Sequence, residues 1–86
     1  MFRLVFSSYF NKQVLKLSKN NKPLKSQIQK AVSFLYSDMN YPSLQLHKLG
    51  GDNYWSVSVN KSIRIILRWD NDKLYLLRIG KHEEVY

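Results

Sequence analysis

The 86-residue chain contains no cysteine, which excludes both a disulfide framework and a thiolate zinc site. Three glycines and two prolines are too few for a low-complexity segment, and 44% hydrophobic against 23% charged residues fits an ordinary globular domain. No apolar run approaches the ~20 residues a membrane-spanning helix needs, so no membrane partner is expected. The start Met1-Phe2-Arg3-Leu4-Val5-Phe6 passes too soon into polar residues to be a secretory signal, which makes the cytoplasm the expected compartment. The length suffices for one core only, so a single domain over 1–86 is expected. The remaining shortage is acid. Residues 1–37 hold Arg3, Lys12, Lys16, Lys19, Lys22, Lys25 and Lys30 with no Asp or Glu, and so carry seven of the eight net positive charges. A surface of that kind attracts phosphate backbones or acidic proteins.

The hydrophobic pattern has two periods. Phe2, Leu4 and Phe6 alternate with Arg3 and Val5, as in a strand. Ser7 or Ser8 can then cap a helix to about Leu17, with Phe10, Val14 and Leu17 on one stripe and Lys12, Lys16 and Lys19 on another. After the connection Ser18–Lys22, Pro23 suits the first turn of a second helix reaching about Ser37, which buries Leu24, Ile28, Ala31, Val32 and Leu35. Beyond Gly50-Gly51 the period becomes two, and turns at Asn60-Lys61-Ser62 and Asp70–Lys73 separate three strands. The order β-α-α-β-β-β predicts an α+β fold, an antiparallel sheet with a helical hairpin on one face.

Those turns also set a register. Ser58 should face Arg64, Ser56 should face Ile66, and Arg68 should lie between Tyr54 and Tyr75. Trp55, Val57, Val59, Ile63, Ile65, Leu67 and Trp69 then share the apolar face, and the other face gathers Tyr54, Ser56, Ser58, Arg64, Ile66, Arg68 and Tyr75. Two arginines among hydroxyls, with no acid, suit phosphate binding. Strict alternation would send Arg78 to the apolar side, so the register must slip there or the strand must end early.

No glycine-rich phosphate loop precedes a helix, no serine sits in a nucleophile elbow, and neither histidine lies at ligand spacing from a second ligand. No cofactor or metal is expected. RNA can still be cut without metal, because its 2′-hydroxyl is a nucleophile beside the phosphate. The enzyme must supply a base, cations for the phosphorane and an acid for the leaving oxygen. The two histidines, His47 and His82, are candidates for the proton transfers, with Arg64 and Tyr86 completing the set.

Three stretches, HKLGG (47–51), YWSVSVNKSIRIIL (54–67) and RIGKHEEVY (78–86), resemble the RelE/ParE superfamily of toxin–antitoxin toxins along the whole chain. The resemblance implies a RelE-like fold and, for the RNA-cutting branch of RelE and YafQ, ribosome-dependent cleavage of mRNA in the A site and inhibition of translation. It implies catalytic roles for Arg64 at the scissile phosphate, His82 in the tail, Tyr86 as a terminal aromatic and His47 in the loop. Tyr54, Ser56, Ser58, Arg68, Lys48 and Lys81 are the further candidates for binding substrate RNA. Lys12, Lys16, Lys19, Lys22 and Lys25 are candidates for ribosomal RNA. An acidic antitoxin is the implied protein partner. Ser56 and Ser58 stand where RelE carries paired lysines, which moves the base role towards His47 or His82. A ParE-like DNA gyrase poison, or a non-catalytic antitoxin-binding member, would share this fold.

Overall fold

A computed structural model describes residues 3–51 and 53–81. The elements are β1 (Arg3–Phe6), α1 (Ser8–Ser18), α2 (Lys22–Ser37), a 3-10 turn (Pro42–Leu44), β2 (His47–Lys48), β3 (Tyr54–Ser58), β4 (Ile63–Asp70) and β5 (Lys73–Lys81). They form the α+β architecture expected, two helices against one sheet. The strand order is β1-β5-β4-β3-β2.

Each helix starts where a side chain satisfies a backbone donor. The Ser7 hydroxyl accepts from the Phe10 N–H at 3.0 Å, and the Asn21 side-chain Oδ1 accepts from the Leu24 N–H at 3.1 Å. Pro23 occupies the first turn of α2, where its missing N–H costs no helical bond. Phe10, Leu24, Ile28, Ala31 and Leu35 are buried against Val57, Ile63, Ile65, Leu67, Leu74, Leu76 and Ile79 of the sheet. Trp55, Val59 and Trp69 pack around that core, so the expected apolar face is the face the helices cover.

The sheet differs from the expectation in two respects. It is mixed, because β1 runs parallel to β5, with Leu4 beside Leu74 and Phe6 beside Leu76. The chain between β1 and β5 is long enough for a parallel placement, and β1 thereby packs Leu4 against the core. The sheet is also one strand wider, since His47 and Lys48 pair with Ser56 and Trp55.

The register slip appears in β5. Ile66 pairs with Arg78 but Leu67 pairs with Leu76, which leaves Leu77 as the extra residue of a bulge. Arg78 is thereby turned away from the helices, while Leu76 and Ile79 both stay in the core. Side chains of the first helical turns hold the bulge: the Ser7 hydroxyl donates to the Leu77 carbonyl at 3.2 Å, and the Ile79 N–H donates to Gln13 Oε1 at 2.9 Å. One hydroxyl thus caps α1 and satisfies the bulge. Ser7→Ala should cost about 1–2 kcal/mol, read from the urea midpoint, the upper part of the range for a lost cap. A change below a few tenths would show that the hydroxyl stabilises neither.

Candidate functional site

The face opposite the helices carries four rows of side chains. Ser58, Arg64 and Gly80 form the first, and His47, Ser56, Ile66 and Arg78 the second. Tyr54, Arg68, Tyr75 and Val5 form the third, and Asp70, Lys73 and Arg3 the fourth. Asp70 is the one acid among these rows, against five Arg or Lys residues and a histidine. Successive rows lie two residues, or roughly 7 Å, apart along a strand. The rows therefore make a cationic surface with tyrosines set into it.

Arg64 is the most constrained of these cations. Its Nε–H and an Nη2–H donate to Ser56 Oγ at 3.1 and 3.0 Å, and Nη2 also donates to the Gln45 carbonyl at 3.0 Å. Gln45 lies in the left-handed region at φ 46°, as the residue ending the 3-10 turn. Ser56 is completely buried. Of the five guanidinium donors three are engaged in this way, which leaves the Nη1 pair for an anion. Held on two sides, the fork can bind a phosphate without first losing rotamer freedom.

The structure brings six of the candidate residues together on one face. His47, Ser56, Ser58, Tyr54, Arg64 and Arg68 share this face, and the expected pairings of Ser58 with Arg64, Ser56 with Ile66 and Arg68 with Tyr54 and Tyr75 are those observed. Lys48 and Lys81 fall on the other side of the sheet from these six. Lys48 is paired with Trp55 and holds its ammonium 5.3 Å from that ring's centroid on the helix-covered side. Lys81 pairs with the buried Ile63, which also places it on that side. Both follow from alternation: each adjoins a residue, His47 or Gly80, that belongs to the open face. Lys12, Lys16, Lys19, Lys22 and Lys25 are exposed on the helices and their connection. His82 and Tyr86 lie outside the described residues.

Sequence reasoning missed four contributors. Arg78 reaches the open face only because of the bulge at Leu77, and Gln45 acts through its backbone. Arg3 and Lys73 join the face because β1 sits beside β5. The alternation of Arg3 with Leu4 was a usable signal for Arg3, but its neighbour strand was not. Among the described residues no three His, Asp or Glu side chains gather as metal ligands. Among the same residues no helix is long and apolar enough to cross a membrane.

Ser56 tests whether the orientation of Arg64 matters. Ser56→Ala removes two of the three bonds that hold the guanidinium but leaves its charge in place. Anion binding to the face should weaken by about 1.5–3 kcal/mol, the net value of a hydrogen bond to a charged group. Titration with a short non-cleavable RNA measures this, and unchanged affinity would show that the two bonds are dispensable.

No protein-family model and no curated protein matches the chain. Solved structures do match, over its full length. A copper-bound mutant toxin from Helicobacter pylori shares 25% identity at a TM-score of 0.82, with 100% of both chains covered. YafQ from E. coli strain BL21(DE3) shares 18% at a TM-score of 0.81, covering 100% of this chain and 99% of its own. A third match, the E. coli DinJ-YafQ toxin–antitoxin complex, shares 19% at a TM-score of 0.79, covering 99% and 97%. The structural neighbours are toxins of the RelE superfamily type, and the fold of this chain is RelE-like.

Proposed function

We propose that this chain is the toxin of a toxin–antitoxin pair and cuts mRNA in the ribosomal A site, with no metal, by attack of the RNA's own 2′-hydroxyl. The reading is carried by one observation, the Arg64 guanidinium fixed by Ser56 and Gln45 in the row beside His47 and Arg78. The RelE-like fold shared with known toxins supports it.

In this mechanism a histidine takes the 2′-hydroxyl proton as the oxygen attacks phosphorus. The bond to the 5′-oxygen breaks, and an acid returns a proton to that oxygen. The products are a 2′,3′-cyclic phosphate and a 5′-hydroxyl. His47 and His82 divide the base and acid roles. His47 stands across from Ser56, and His82 follows by two residues Gly80, the β5 residue opposite Arg64. Arg64, with Arg78, stabilises the charge that grows on the phosphorane, and fixed donors do this without reorganising. Tyr86 orients a base by stacking. The acid-free helices, through Lys12, Lys16, Lys19, Lys22 and Lys25, hold ribosomal RNA, and an acidic antitoxin neutralises the toxin.

Primer extension on mRNA from translating ribosomes provides the test. New 5′ ends should appear with the wild-type protein and vanish with His82→Ala. Intact message from a folded wild-type protein that nonetheless blocks DNA supercoiling would replace this reading with a gyrase poison.

A further inference from the structure

We infer that Tyr54, Arg68 and Tyr75 form a stacking platform for single-stranded RNA, and that it holds the nucleotide two steps from the phosphate bound by Arg64. This rests on the proposed RNA cleavage and adds to it where the message is held beyond the cut.

Strand register builds the platform. Arg68 of β4 is the direct cross-strand partner of Tyr54 on β3 and of Tyr75 on β5, so an arginine stands between two tyrosines on the open face. Neighbouring strands lie about 4.8 Å apart, which keeps both phenol rings within reach of a base laid over the arginine. Arg68 and Tyr54 are exposed, and Tyr75 is half-buried beside Val5 of β1.

The rest of the chain does not use these three side chains. Among the described residues none of them has a hydrogen-bond, ion-pair or ring partner. A cation placed for stability alone would face an acid across the strands, yet the rows of Arg64, Arg78 and Arg68 contain no Asp or Glu. Five N–H donors and two aromatic rings are therefore left for a ligand that carries both negative charge and flat rings.

Spacing identifies that ligand as a nucleic-acid strand. The open face offers one guanidinium in each of three successive rows, Arg64, then Arg78, then Arg68. Each row advances roughly 7 Å along the strand, a step comparable with that between phosphates of an extended single strand. A polymer with one negative charge and one base per repeat matches this arrangement. An acidic protein segment has the charge but no base for the tyrosines. Proteins that bind single strands combine a cationic track with aromatic side chains on which bases stack, and every base has a face to offer. With Arg64 on one phosphate and Arg78 on the next, Arg68 meets the third, and the adjoining base stacks on the tyrosines.

The test uses RNA oligonucleotides of two, four and six nucleotides, with 2′-methoxy groups so that none can be cut. Amide resonances of the intact protein are followed during titration. The dinucleotide, with one internal phosphate, should shift the row of the preorganised Arg64. From four nucleotides on, shifts should reach Tyr54, Arg68 and Tyr75, and affinity should rise at least about fivefold, the value of one stacked base. Tyr54→Ala/Tyr75→Ala should lose that gain, whereas Tyr54→Phe/Tyr75→Phe, which keeps both rings, should retain it. Tyr54→Ala alone, at an exposed position, should lose part of the gain and serves if the double variant folds poorly.

Shifts that stay in the rows of Arg64 and Arg78 at every length would overturn the platform and leave the cleavage reading intact. So would an equal loss of affinity at all lengths in the alanine variants. An acidic peptide that shifts Tyr54 and Tyr75 where the hexamer does not would overturn it in favour of a protein partner. Absence of both RNA binding and cleavage in the wild type would bring down the proposed function together with the platform.

Discussion

Arg64→Ala should slow mRNA cleavage by a factor on the order of 10²–10³, or about 3 kcal/mol of transition-state stabilisation, as for other preorganised donors at a developing negative charge. The magnitude follows from how the group is held. A mobile surface cation loses rotamer entropy when it meets a phosphate, whereas Arg64 is already fixed through Ser56 Oγ and the Gln45 carbonyl. Arg64→Lys separates charge from geometry. An ammonium cannot span Ser56 and Gln45 while presenting a second pair of donors, so lysine should recover only part of the rate. Stability should fall by about 1–3 kcal/mol, because the truncation takes two donors from the fully buried Ser56 Oγ. Single-turnover cleavage on programmed ribosomes, with a thermal melt of each variant, reads both quantities. A folded Arg64→Ala protein that cuts at the wild-type rate would remove Arg64 from the mechanism.

The second large effect belongs to the core. Leu76 is fully buried, between Phe6 of β1 and Leu67 of β4, immediately before the bulge. Leu76→Ala should cost ~2–5 kcal/mol from lost transfer energy and the cavity left behind. Domains of this kind have only ~5–15 kcal/mol in total, so the loss is a large share of the whole. At roughly 4–8 °C per kcal/mol for a domain of this size, the melting temperature should drop by about 8–40 °C. Leu15 is the matched control. It is also a leucine, but 72% exposed on α1, and Leu15→Ala should stay within ~0.5 kcal/mol. Equal losses at the two positions would contradict the division into a covered and an open face.

Much of this fold was legible because the signals are local. Ser7 and Asn21 cap the helices they precede, and the alternation from Tyr54 to Trp69 assigns side chains to faces without knowledge of the helices. The turns are short enough to set the pairing of Ser58 with Arg64 and of Tyr54 with Arg68. The basic, acid-free helical region is likewise a property of composition.

What the sequence could not decide depends on partners far along the chain. The slip at Leu77 is held by Ser7 and Gln13, 70 and 66 residues from the groups they bind, so the pattern near Arg78 shows that a slip is needed but not where. Placement of β1 beside β5 adds Arg3 and Lys73 to the open face, and no period within residues 3–6 specifies that neighbour. His47 joins the site as part of a two-residue strand too short to show a period, and the same pairing takes Lys48 to the other side. Alternation along a strand is local and determined which residues share a face. Which strands adjoin, and where a bulge turns Arg78 towards Arg64, were decided only by tertiary hydrogen bonds.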